Sequence, residues 1–264
     1  MKQRFWRPII YLIGIFVIFG PLSSLVIWSF AKQWYWPNLF PQQLSWFYWA
    51  KIGDTLIIQA LINSLIIATL TTVFAMLLTI PFAYQLVRKQ FPAKVLLMLV
   101  FLLPQAFPQL PIFVNTMVLF YKWNLVGTIA GVVLVHLAGG LIYALWIMVS
   151  VFESIPLDME LAAYNLGASS LKTFFTVSLP LALPGIIASA ILVFLYSLDE
   201  FPGSLLIGAP YTQTLSVFMY KTAMGYEMQV ASVASLLLTI PGVLMLLVME
   251  RYIKAEHLAS FGSL

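Results

Sequence analysis

Between Thr55 and Val87 the chain carries no charged residue. That stretch is longer than the roughly 20 apolar residues that cross a bilayer. A helix apolar on every side has no face to offer water, so it belongs in a large core or a membrane. Further apolar runs lie at Pro8–Trp28, from Val95 onward, and across Leu125–Phe152, Thr176–Leu198 and Met228–Met249. Backbone polar groups in hydrocarbon must be satisfied within their own segment, so each run is expected to be helical. Composition agrees. Charged residues make up 8% of the chain, against about 25% in soluble domains, and mean hydropathy is +0.99. The expectation is an all-α integral membrane protein of six transmembrane helices in one domain over 1–264, with its core at 55–251. The spans use most of the chain and leave no separate soluble domain. The first run follows Lys2, Arg4 and Arg7 and is read as a retained span, since a signal peptide has a shorter apolar core and a small-residue cleavage site.

Charge placement orients the spans. Lys2, Arg4, Arg7, Arg88, Lys89, Lys94, Lys172, Arg251 and Lys254 fall on one side, and Lys32, Lys51, Lys122 and Lys221 on the other. The positive-inside rule puts the richer side, with both termini, in the cytoplasm. Trp34, Tyr35, Trp36, Trp46, Phe47, Tyr48 and Trp49 follow the first span and suit interfacial anchoring, or a surface for an extracytoplasmic partner. Pro37 and Pro41 break that segment. A net charge of +4 spread over loops is no nucleic-acid footprint. No cysteine occurs, which excludes disulfides, thiolate nucleophiles and cysteine-ligated metals. His136 lies inside a span and reads as a packing residue or a relay. With His257 as its only fellow, a histidine metal site has no support. No phosphate-binding GxxxxGK[ST], His-Glu-x-x-His or Gly-x-Ser-x-Gly occurs, and Ser169-Ser-Leu-Lys172 lacks the companion motifs of its enzyme class. The chain is therefore expected to be no enzyme and to carry no cofactor or metal.

The longest polar interruption of the second half is Glu160-Leu-Ala-Ala-Tyr-Asn-Leu-Gly167-Ala168, followed by Phe174 and Leu179-Pro180. Ala162, Ala163 and Leu166 share one helical face, with Gly167 and Ala168 in the next turn. Pro156 suits a first helical turn, which Ser154 or Asp158 is placed to cap. The loop, Glu153 to Phe174, resembles the "EAA" loop of binding-protein-dependent ABC importer permeases: Ala162, Ala163 and Gly167 are in register, Leu161 stands where that motif has Glu, and Glu160 is one residue early. Ser197-Leu-Asp-Glu200 and Leu179-Pro-Leu-Ala-Leu-Pro184 are similar to the spermidine/putrescine-type members. The resemblance implies a type I, methionine-importer-like permease fold in a bacterial inner membrane. It implies a coupling loop formed by Glu160, Ala162, Ala163, Leu166, Gly167, Ala168 and Phe174. It also implies a pair of ATP-binding subunits, a second and different permease chain, a periplasmic binding protein and alternating access.

Where the solute passes is less constrained. Pro104, Pro108 and Pro111 interrupt the third run, and Gln105, Gln109 and Asn115 sit among or just after them. Broken helices are tolerated at depth only against protein or a watery cavity, so these residues read as path lining or as a kinked packing helix. Tyr196, Asp199 and Glu200 close the fifth span. The two carboxylates read either as the outer mouth of a path for an amine-bearing solute, or as an interfacial cap or partners of Lys221. Gly127 and Gly131 form a GxxxG spacing that permits close helix packing. An ion-gradient transporter would need ionisable groups at depth, where only His136 is found. A membrane scaffold would not need the loop.

Overall fold

The computed structural model describes residues 2–35, 37–53, 55–89 and 93–261, with side chains between residues 10 and 250 apart from 18, 55 and 249. The side chains of Lys2, Arg4, Arg7, Arg251, Lys254 and His257, and all of Trp36, lie outside the described residues. In chain order the elements are α1 Lys2–Phe30, strands β1 Ala31–Gln33 and β2 Gln43–Leu44, α2 Phe47–Ala50, α3 Thr55–Arg88, α4 Lys94–Ala106, α5 Gln109–Lys122, α6 Ile129–Ser154, α7 Leu157–Asn165, α8 Ser170–Thr173, α9 Leu179–Asp199, α10 Leu215–Met224 and α11 Met228–Phe261. Four helical stretches are long and apolar enough to cross a membrane, Leu56–Arg88, Ile129–Ser154, Ser170–Asp199 and Met228–Val248; two bent pairs, one in α1 and one formed by α4 and α5, raise this to six.

The chain divides into two compact units, residues 1–61 with 214–240, and residues 62–213 with 241–264. In the first, Ile57, Ala60, Leu215, Phe218 and Ala234 form the core. The aromatic segment after α1 is a short antiparallel hairpin, with Ala31 opposite Leu44. Its connection holds Pro37 and Pro41, where neither must donate to a ladder. Trp28 stacks on Trp34 at 4.3 Å, and Phe30 meets the edge of Trp46 at 4.7 Å.

The second unit is built around α6 and α9. A Cβ on Gly140 would lie 3.1 Å from Val193 Cγ1, and one on Gly185 2.3 Å from Val151 Cγ2. Small residues let apolar helices approach closely where lipid gives no hydrophobic drive. These glycines let α6 and α9 meet, whereas the expected Gly127/Gly131 pair sits at the start of α6, where a Cβ would lie 2.8 Å from Tyr211 Cδ2 and 3.2 Å from Ile207 Cγ2 respectively. Gly127 lies in the turn before α6 at φ +79, and a Cβ on Gly131 would strike the Leu125 carbonyl oxygen at 2.2 Å. Tyr84, Leu145, Met148, Phe152 and Ala182 form a core at one end of this unit; Ile67, Phe120, Val132 and Ile207 form another.

Several boundaries differ from those expected. The fourth run becomes helical only at Ile129, where Thr128 accepts from the Gly131 N–H at 3.0 Å. Of the three prolines in the third run, only Pro108 coincides with the break, a bend of 94°. Pro104 stays inside α4, and Pro111 sits in the first turn of α5, whose N–H groups have no intrahelical partner anyway. Pro156 is the cap residue of α7, without a side-chain cap. Ser154 instead bonds back to the Val151 carbonyl at 2.7 Å. The helix from Ser170 runs through a π-turn at Phe174–Ser178 into α9, so no loop separates Phe174 from the fifth span. Residues 202–227 contain a π-turn at Ser204–Gly208 and α10.

Candidate functional site

At the α7 end, the sequence Tyr164-Asn-Leu-Gly-Ala closes the helix by a Schellman turn. The Gly167 N–H donates to the Tyr164 carbonyl at 2.9 Å, and the Ala168 N–H to the Ala163 carbonyl at 3.0 Å. Gly167 has φ +84, and a Cβ there would meet nothing within 4 Å. Gly167 is therefore required for its backbone, with open space around it in this chain. What α7 displays is apolar and exposed: Met159, Leu161, Tyr164 and above all Leu166, 89% exposed. Ala162 is exposed beside them, while Ala163 and Ala168 are half-buried.

Glu160 turns the other way and is 1% exposed. Its Oε1 accepts from Arg88 Nε at 2.8 Å and from the Ser178 hydroxyl at 2.8 Å; its Oε2 accepts from the Tyr84 hydroxyl at 3.1 Å. Arg88 also donates to the Ile155 carbonyl at 3.0 Å. The one-residue offset from the motif position, about 100° of helix rotation, is what carries this carboxylate inward. Phe174 is half-buried and packs on the Tyr84 ring at 4.8 Å. The structure thus places Glu160 and Phe174 behind the displayed surface. Lys94 and Glu153 make a second ion pair, more exposed, alongside. Tyr84, Arg88 and Ser178 were not read as site residues. Arg88 registered only as a topology charge, because nothing local links it to a carboxylate 72 positions away.

At the other end of the unit, His136 is fully buried two turns into α6, close to the helix start and not at mid-span. Its Nδ1 lies 2.7 Å from Ser197 Oγ; its Nε2 lies 2.8 Å from Ser204 Oγ and 3.1 Å from Glu200 Oε2. Glu200, 5% exposed, also accepts from the Gly203 and Ser204 N–H groups at 2.9 and 3.0 Å. α9 stops at Asp199, the backbone becomes extended at Glu200, and the two neighbouring carboxylates part: Asp199 is exposed and Glu200 is folded into the turn. They do not form the acidic pair expected at a path mouth.

Three of the expected path residues do share a space. Gln105, Gln109 and Tyr196 wall a small cavity with Phe113, Gly139 and Ile142. Gln105 Nε2 donates to the Tyr143 hydroxyl at 3.4 Å, and the Tyr143 and Tyr196 rings lie 5.2 Å apart. A Cβ on Gly139 would sit 1.9 Å from the Tyr196 hydroxyl oxygen, so only glycine admits this tyrosine. Asn115 is not among the walls; it donates to the Pro111 carbonyl of its own helix at 2.8 Å. Gly139 and Tyr143 were missed, although two successive glycines inside an apolar span were a readable sign of close approach.

Comparison with known proteins agrees with this arrangement. The family model for the binding-protein-dependent transport system inner membrane component matches residues 75–255. The molybdate/tungstate transport system permease protein WtpB of Pyrococcus abyssi is 32% identical over 71% of this chain and 75% of its own. The trehalose/maltose transport system permease protein MalG of Thermococcus litoralis is 32% identical over 72% of this chain and 70% of its own. Neither is named for a polyamine, so the finer likeness to spermidine/putrescine permeases gains no support. Among solved structures, a bacterial ABC transporter involved in import of the acidic polysaccharide alginate superposes with TM-score 0.74 at 19% identity, covering 95% of this chain and 97% of that one. The MetNI methionine ABC transporter gives 0.62 at 19%, covering 76% and 95%. At that identity the two structures speak for the fold alone, a type I importer fold. By its sequence match the chain belongs to the binding-protein-dependent transport system inner membrane component family of ABC permeases.

Proposed function

We propose that the chain, as one permease over 1–264 with its core at 55–251, moves a polar solute inward through the cavity walled by Gln105, Gln109 and Tyr196. It receives the solute from a periplasmic binding protein and works by alternating access driven by ATP hydrolysis on a separate pair of ATPase subunits. The observation that carries this reading is the exposed apolar surface of α7, with Leu166 at its tip. Adjoining exposed apolar residues of this kind mark an interaction site. Its partner is the ATPase, and a second, different permease completes the path. Ala162, Ala163 and Ala168 shape the contact, while Glu160 and Phe174 lie behind it, turned toward the spans.

The solute class that fits best is a sugar or an oxyanion. Two amides and one phenol, Gln105, Gln109 and Tyr196, interrupt an otherwise apolar wall, and such groups donate and accept in the way hydroxyl-rich or oxygen-rich solutes require. An amine-bearing solute has less in its favour, because Glu200 is committed to His136 and leaves Asp199 as the exposed carboxylate of the pair. The relatives named for trehalose/maltose and for molybdate/tungstate point the same way.

The test is purification of the tagged full chain from its native membrane. An ATPase subunit should co-purify, and Leu166→Asp should release it without lowering the amount of permease. Uptake of labelled trehalose, molybdate and spermidine by cells with and without the chain then assigns the solute. Uptake that survives ATP depletion but stops with a protonophore would replace this reading with a secondary transporter.

A further inference from the structure

Resting on that reading, we infer that Glu160 is the joint through which movement of α7 reaches the membrane spans. The family likeness concerns the outward face of this loop; the inward face is what transmits. Glu160 is held from two directions, by Tyr84 and Arg88 at the end of α3 and by Ser178 in the turn that leads into α9. These three carboxylate contacts all go to spans and none to α7 itself. Arg88 continues the connection to the Ile155 carbonyl, just before α7 begins.

The geometry distinguishes this joint from general packing. α7 displays its apolar residues outward, so little of its apolar surface is left to grip the spans. Without the carboxylate, α7 is tied to α3 and α9 by the chain on either side of it, by the Arg88 bond to the Ile155 carbonyl just before it and by Tyr164, which neighbours Tyr84. A push on Leu166 would then tilt α7 before it moved α3 or α9. With the carboxylate in place, the charge-assisted bonds are short and directional, and a displacement of α7 carries Arg88 and Ser178 with it. Lys94 and Glu153 lie beside this joint but are partly solvated, and exposed pairs contribute little. They are not the transmitting element.

Glu160 is thus a positioning residue, and the inference is tested in the whole complex with its ATPase. The chain has no cysteine, so a single Asp199→Cys at the exposed end of α9 reports span movement through its labelling rate with an impermeant thiol reagent. ATP with vanadate serves as the probe. In the otherwise wild-type complex, vanadate trapping should change that rate. In Glu160→Gln the ATPase should stay bound and hydrolyse ATP, while the vanadate-dependent change shrinks by about tenfold, as expected when a bond to a charged group is lost. Tyr84→Phe and Ser178→Ala, which each remove one contact and leave the Arg88 pair, should shrink it less. They decide the matter if Glu160→Gln does not accumulate. An undiminished change in Glu160→Gln with ATPase bound, or in both milder variants, overturns the joint alone. A chain that never retains an ATPase overturns the transport reading and this inference together.

Discussion

Removing the imidazole of His136 would take a hydrogen-bond partner from the buried Glu200 carboxylate, which would keep the Gly203 and Ser204 N–H groups. Leaving a buried polar group short of a partner costs about 1–3 kcal/mol. His136→Ala should therefore lower the thermal unfolding midpoint of the detergent-solubilised protein. Ser197→Ala, which removes one hydrogen bond worth about 1 kcal/mol, should lower it less. Equal effects would mean that Glu200 does not depend on the histidine. Gly167 poses a different problem, because its positive φ penalises any side chain even though space is open. Gly167→Ala should destabilise the α7 terminus by roughly 1–2 kcal/mol, and Gly167→Asn by less, since Asn also closes helices in this conformation. Retained ATPase after purification is the measurement. A steric clash with a bound partner would instead make Asn worse than Ala, the opposite order.

Among elements, the α6–α9 contact carries the clearest expectation. Gly185→Ala places a methyl 2.3 Å from Val151 Cγ2, and overpacking of this kind costs about 1–3 kcal/mol. Val151→Ala should restore much of the loss, as neighbours in contact couple. The double variant can be compared with each single one by yield and melting. If the double variant melts no higher than Gly185→Ala, the two helices are not pressed together at this point. Apolar length sufficed to place α3, α6, α9 and α11 in the sequence, because a span must satisfy its own backbone. The ends were harder to read. Helix starts turn on single caps such as Thr128, and the junction after Phe174 is bridged by a π-turn that leaves no mark in hydropathy. The loop was recognisable from spacing, yet the direction of Glu160 was not. A 100° offset on a short helix can face solvent or protein, and only the distant Arg88 decides it. The same applies to Asp199 and Glu200, adjacent in sequence and separated by a helix end.

For the molecule as a whole, the positive-inside arrangement predicts that the α7 end faces the cytoplasm. Single cysteines at Ser170 and at Tyr121, both exposed, should react with an impermeant reagent from opposite sides of sealed vesicles. Ser170 reacting from the periplasmic side and Tyr121 from the cytoplasmic side would invert the transport direction proposed above, and reaction of both from one side would overturn the span order. Ser204 cannot serve as such a reporter, because it is fully buried. Within the second unit, Ser178 and Tyr196 are separated by about 27 Å of helix, at 1.5 Å per residue. Sites that far apart contribute almost independently. Gly139 and Tyr196 can therefore be exchanged together to reshape the cavity without touching the carboxylate that ties α7 down. Cargo and drive are then separately heritable: a lineage can change what it imports by a few substitutions at one end of α9 while keeping the motor attachment at the other.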